Sequence, residues 1–88
     1  MNICFDVDEC LIKEGKPIES NIELLKLLSK NHKVYMWSGN GYEYSLKIAE
    51  TLRLDRIISG VLDKYGTFIP DIAFDNQEIK LGKVDIRL

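Results

Sequence analysis

Short apolar runs rich in β-branched and aromatic residues alternate in this chain with stretches whose apolar residues recur at helical spacing. That alternation limits the fold more than any other feature. "NICFDVD" reads as a buried first strand, roughly Asn2 to Val7. Glu9 to Pro17 contains Gly15 and Pro17 and reads as a loop or small flap. Ser20 followed by Glu23 is a capping box opening a helix, "IELLKLLSK", that puts Ile22, Leu25 and Leu28 on one face. Asn31 is expected to end that helix in a left-handed conformation. "HKVYMWS" is a second buried strand, and Asn40 with Glu43 is a second capping box. The helix it opens runs to about Leu52, with Leu46, Ile48, Ala49 and Leu52 facing inward. "RIISGV", "DIAFD" and "VDIRL" supply a third, fourth and fifth strand. The connection between the third and fourth carries Gly66 and Pro70, so a full helix is not expected there. Strands alternating with helices imply βαβ units, a parallel sheet and helices on its faces.

The 88 residues are expected to form a single domain, 1–88. A chain of this size buries about 60–65% of the surface it exposes when unfolded, so the core is small but workable. The 45% hydrophobic and 30% charged fractions fit a globular protein. A net charge of −2 does not support nucleic acid as a partner. No apolar stretch is long enough to span a membrane, and Met1 leads straight into a strand-like run, with no signal peptide visible. Cys4 and Cys10 flank the first strand's end without CxxC spacing, and read as small hydrophobes, Cys4 buried and Cys10 semi-buried. The expected compartment is a reducing cytoplasm.

In an open parallel sheet, ligands bind beyond the carboxyl ends of the strands. Here the first strand ends in Asp6 and Asp8, two residues apart and therefore expected on one side. The second ends in Ser38, followed by Gly39 and Asn40. Lys64 follows the third, and the fourth ends in Asp75 and Asn76. Each has an ordinary explanation alone, since Asp favours turns, Ser and Asn favour helix starts, and a lone Lys is usually solvated. Four successive strand ends delivering such groups to one edge point to phosphoryl transfer. Mg²⁺ takes hard oxygen ligands, which Asp6 and Asp75 supply from two strands. A carboxylate can act as nucleophile, and a second can serve as general acid and base. Ser38 and the backbone N–H groups of Gly39 and Asn40 suit phosphate oxygens, and Lys64 suits the charge on the transferring group. An EF-hand is excluded by Leu11 and Pro17 where glycine and glutamate are required, and no P-loop or GxGxxG is present.

These stretches resemble the motifs of the haloacid dehalogenase (HAD) superfamily. "ICFDVDECLI" is similar to its first motif, "VYMWSGN" to the second, Lys64 to the third and "DIAFDN" to the fourth, in the right order over nearly the whole chain. The resemblance implies an α/β, three-layer Rossmann-like (HAD-like) domain with a short parallel sheet of order 5-4-1-2-3 and no cap domain. It implies an Mg²⁺-dependent phosphohydrolase working through an aspartyl-phosphate intermediate. Asp6 would be the nucleophile, Asp8 the acid/base, and Ser38 and Lys64 the phosphate ligands. Asp6, Asp75 and the backbone carbonyl of Asp8 would hold the metal, with Asn76 a further candidate. Asp at position 8 favours phosphatase-type members over dehalogenases. The chain departs from the family pattern at Cys10, where Thr or Val is usual, and at Asn76, where a second acid is common, with Glu78 as a substitute. A capless site implies a large phosphorylated substrate or closure by a partner subunit. The alternative is a catalytically weak or inactive module that keeps the fold and binds metal, phosphate, or a protein or nucleic-acid partner.

Overall fold

β1 (Asn2–Asp6) occupies the middle of a five-stranded parallel sheet, and its burial explains its composition. It pairs on one side with β4 (Lys33–Trp37) and on the other with β6 (Ile72–Asp75), so it has no free edge. The short β5 (Gly60–Val61) flanks β4, and β7 (Val84–Arg87) flanks β6. The order is β5-β4-β1-β6-β7 in this computed structural model, which describes residues 1–88. Two further strands, β2 (Ile12–Lys13) and β3 (Lys16–Pro17), form a separate antiparallel hairpin. Counted along the chain over the five sheet strands alone, the order is 3-2-1-4-5, which from the opposite edge is 5-4-1-2-3.

The two helices, α1 (Glu19–Ser29) and α2 (Tyr42–Thr51), lie on the same face of the sheet. Ile3 and Phe5 of β1, with Val34 and Met36 of β4, pack there against Ile22 and Leu25 of α1 and Ala49 of α2. The chain steps from β1 to β4 to β5 in one direction, and right-handed crossovers then put both helices on one side. The opposite face carries Cys4, Trp37 and Ala73, covered by Leu62, Phe68 and Leu81 from irregular connections. The expected helices on both faces are therefore corrected to two helical elements on one face only. The connections 62–71 and 76–83 carry Gly66, Pro70 and Gly82 and have no helical period, so the second face is clad in loops.

Local signals were redirected in four places. Neither capping box forms: α1 starts after Ile18 and α2 after Gly41, with no side-chain cap at either. Asn31 is not left-handed, since α1 closes in ordinary helical geometry at Lys30. α2 ends instead in a Schellman motif, with Arg53 at φ 58° and Leu54 N–H donating to the Ala49 carbonyl at 2.8 Å. Leu54 is wholly buried, which supplies the hydrophobic contact that accompanies this motif. Leu46 faces solvent rather than the core, while Ala49 is buried and Ile48 and Leu52 pack against the core as expected, with Ser45 also buried. The third strand is shorter than "RIISGV", because Ile57 and Ile58 N–H groups are taken by the Leu54 carbonyl in a turn.

The 9–17 stretch forms the flap. Glu14 (φ 52°) and Gly15 (φ 75°) supply the two left-handed residues of a two-residue hairpin loop. On the loop-clad face, Gly82 leaves little room for a side chain: an added Cβ would lie 3.1 Å from the Ala73 nitrogen and 3.1 Å from the Pro70 carbonyl oxygen, so the backbone would have to give by a few tenths of an ångström. Both neighbours are backbone and cannot swing aside. Gly82→Ala is expected to destabilise the domain by about 1–3 kcal/mol, read from the denaturant midpoint. An unchanged midpoint would show that this face yields freely.

Candidate active site

Because the sheet is parallel, the carboxyl ends of β1, β4 and β6 meet at one edge, and the expected residues assemble there in two groups. Asp6 closes β1 and Asp75 closes β6 on the neighbouring strand. Lys64, from the segment after β5, reaches between them, its Nζ 2.9 Å from Asp6 Oδ1 and 2.8 Å from Asp75 Oδ2. All three are buried, at 4%, 3% and 7% exposure for Asp6, Asp75 and Lys64. Asp75 Oδ1 accepts the Gln77 N–H at 3.1 Å. Asp75 Oδ2 is buried without a well-directed hydrogen-bond donor, so its contact with Lys64 is an ion pair only.

The second group surrounds Asp8. Its Oδ2 accepts from Ser38 Oγ at 3.1 Å and Asn40 Nδ2 at 2.9 Å, and its Oδ1 accepts from the Tyr44 hydroxyl at 2.6 Å. Ser38 Oγ in turn accepts the Asn40 N–H at 3.0 Å. β1 ends at Asp6, and Asp8 lies just beyond it in an isolated bridge to Ile12, before the turn at Glu9 and Cys10. The Val7 carbonyl there collects the N–H groups of Cys10, Leu11 and Ile12. Asp6 and Asp8 therefore belong to different networks, one cationic and one of neutral donors.

Asp6, Asp8, Gly39, Asn40, Lys64 and Asn76 line one cleft of about 190 Å³. Ser38 stands behind it, supporting Asp8. Two expected roles shift as a result. The Asn40 N–H is engaged by Ser38, so it is not free for an anion, and the Asn40 side chain binds Asp8 instead of capping α2. Glu78 does not join the site, since it pairs with Arg87 at 2.9 Å on the surface. No three His, Cys, Asp or Glu side chains gather in a metal-ligating group. Tyr44, Gln77 and Tyr65 belong to the site without having been singled out for it. Tyr44 sits in the first turn of α2, and that placement was the one signal for it in the sequence.

The electrostatics follow from burial. Burial pushes the Asp6 carboxyl from its ordinary 3.8 up to about 6; the Lys64 hydrogen bond opposes this, and the charges of Asp75 and, least, Asp8 add to it. Repulsion between Asp6 and Asp8 is thus the smallest contribution. For Lys64, burial works to lower the pKa, but Asp75 and Asp6 outweigh it and the net shift is upward. Burial, then the bond to Asp8, raises the Tyr44 phenol to about 12, so it donates as a neutral group at pH 7. Cys10 is fully buried, not semi-buried, and both thiols are free; burial raises each to about 12, which keeps them protonated and unreactive.

Comparison with known proteins adds a distant likeness. No family model matches the chain, and no solved structure matches it significantly. It is 25% identical over 75 residues to a 5-oxoprolinase of Saccharomyces cerevisiae, a match covering 81% of this chain. The match spans 6% of that protein's length.

The Asp6 shift has a measurable sign. A folded pKa of about 6 above an unfolded 3.8 means that the native state binds the extra proton between those values. The contribution of Asp6 to stability is then fullest below pH 4 and is lost as pH rises through 6. Denaturant titrations in EDTA should show wild type losing stability relative to Asp6→Asn between pH 4 and 7. A constant difference across that range would mean that Asp6 is not desolvated as described.

Proposed function

We propose that this chain is a capless, HAD-like domain acting as an Mg²⁺-dependent phosphohydrolase, with Asp6 as nucleophile. The observation that carries the reading is the buried Asp6–Lys64–Asp75 triad at the shared carboxyl edge of three parallel strands. A buried carboxylate kept beside a cation, at the mouth of a cleft, is poorly placed for stability alone and well placed for chemistry. Asp6 and Asp75 together carry two negative charges against one lysine, and Asp75 Oδ2 has no directed donor. That surplus of hard oxygen fits a magnesium ion, which usually takes one or two carboxylates and fills its shell with water and substrate. Asp6, Asp75 and the backbone carbonyl of Asp8 would hold it, with Asn76 on the cleft wall beside them. When bound, such an ion offsets charge on the phosphoryl oxygens.

In this reading, an Asp6 carboxylate oxygen attacks phosphorus and the ester P–O bond breaks. The departing oxygen takes a proton from Asp8, giving the alcohol and an aspartyl phosphate. Water then attacks that phosphorus, Asp8 receives its proton, and inorganic phosphate leaves with the Asp6 carboxylate restored. Lys64 stays within reach of both the nucleophile and the transferring group. Ser38, Asn40 and Tyr44 fix the Asp8 carboxyl, and Tyr44 sets its direction through the shortest of the three bonds. The cleft is small and open, which suits a phosphoryl group whose remaining substrate lies outside it.

One observation favours the alternative of an idle binding module. Lys64 already pairs with both Asp6 and Asp75, and three donors already hold Asp8. Hydrolysis of p-nitrophenyl phosphate separates the two readings. The hydrolase requires turnover that depends on Mg²⁺, is abolished in Asp6→Asn, and is stopped by EDTA, with the variant still folded. Magnesium binding by calorimetry with no turnover would leave the module. Tyr44→Phe removes one bond to a charged acceptor, worth about 1.5–3 kcal/mol. It should slow turnover by roughly tenfold or more and lower the melting temperature by several degrees. Unaltered turnover would remove Tyr44 from the positioning of Asp8.

A further inference from the structure

The loop-clad face of the sheet holds a second depression, a groove of about 510 Å³ between the 64–69 and 80–83 segments. It lies beside the 190 Å³ cleft, with Lys64 and Tyr65 lining both. Its volume lies in the range of small-molecule sites, roughly 300–1,000 Å³, whereas the cleft holds little more than a phosphoryl group. Phe68, Ile69 and Leu81 give it an apolar surface, and Ile69 is 65% exposed, unusual for an isoleucine with no partner. Three of its lining side chains, Lys64, Lys80 and Lys83, are lysines, and none is acidic. Lys64 is neutralised by Asp6 and Asp75. Lys80 and Lys83 are solvent-exposed and only loosely paired, at 3.4 Å from Asp85 and Asp71 respectively. Tyr65, 69% exposed, stands at the junction, its hydroxyl near Gly39 across the cleft and its ring 5.9 Å from Lys64 Nζ.

We propose that this groove receives the leaving group of the phosphoester, and that the leaving group is aromatic or similarly apolar with a second negative charge at its far end. The assignment rests on the phosphohydrolase reading for its direction: phosphoryl group in the cleft, remainder passing Tyr65 into the groove. The apolar part lies against Phe68, Ile69 and Leu81, and the distal anion meets Lys80 and Lys83. The groove thus does what an inserted cap would otherwise do, using two irregular connections.

Three non-hydrolysable probes test this by calorimetry in magnesium buffer: benzylphosphonate, 4-propylbenzylphosphonate and 4-(2-carboxyethyl)benzylphosphonate. Affinity should rise in that order, with the carboxylate probe about three- to tenfold tighter than the propyl probe at low salt. The double variant Lys80→Ala/Lys83→Ala should erase the carboxylate's advantage and leave benzylphosphonate unchanged. Ile69→Ser, at an exposed position, should shrink the gain from benzyl to propylbenzyl. The matching aryl phosphates, assayed for turnover, tell the two readings apart. Phosphonates binding in this order without turnover of any phosphate would keep the groove and overturn the hydrolase. Turnover of all three phosphates at equal kcat/KM, insensitive to the lysine variant, would overturn the groove and keep the hydrolase. No binding of any phosphonate would also overturn the groove.

Discussion

A lysine held between two carboxylates in a nearly dry setting is the interaction on which the functional edge of this molecule depends. Lys64 is fixed by no regular element of its own; it arrives on an irregular segment and is anchored by Asp6 and Asp75. Removing one member of such a buried set typically costs about 3–5 kcal/mol, because the others are left desolvated and unmatched. The pairing therefore ties the segment after β5 to the ends of β1 and β6. It also fixes where the loop-clad face begins. The same burial lifts the Asp6 carboxyl to about 6, so the ion pair that anchors this edge includes a carboxylate that is costly to keep as an anion.

The asymmetry of the sheet follows from connection order. With β1, β4 and β5 laid down in one direction, right-handed crossovers commit both helices to a single face. The return to β6 crosses the other face, and there the chain has only loops to offer. A loop-clad face packs less uniformly than a helix-clad one, and the groove beside Tyr65 is the space left over. What looks like an incomplete layer therefore stands next to the strand edge that carries Asp6 and Lys64.

Much of this was legible in the sequence, for identifiable reasons. The strands of the sheet centre are short and apolar and sit between helical periods, so parallel pairing and the convergence of Asp6, Ser38, Lys64 and Asp75 at one edge followed from pattern alone. The number of helical layers did not follow, because it depends on crossover handedness and on loops with no periodicity. The capping signals misled for a different reason. Asn40 sits where a cap belongs, yet its side chain binds Asp8, a residue 32 positions away. A tertiary partner that recruits a polar side chain overrides the local use of that side chain, and no window of sequence reveals it. Tyr44 was hard to single out as a site residue, since aromatic residues on amphipathic helices most often serve the core, and only its place in the first turn of α2 pointed to the site.

The separation of Asp6 from Asp8 carries the last consequence. Both line one cleft, yet their mutual repulsion is the smallest contribution to the Asp6 shift because each has its own partners. Asp6 faces a cation, while Asp8, just past the end of β1, faces a serine, an asparagine and a tyrosine. Two carboxyl groups of one short motif thereby acquire different surroundings, which is the condition for different chemical roles. A nucleophile needs its charge offset without being quenched, and an acid/base needs donors that hold its orientation while it gains and loses a proton. One dipeptide step past the end of a strand provides both environments, and the donors around Asp8 are separate from the ion pairs that anchor Lys64 at the edge.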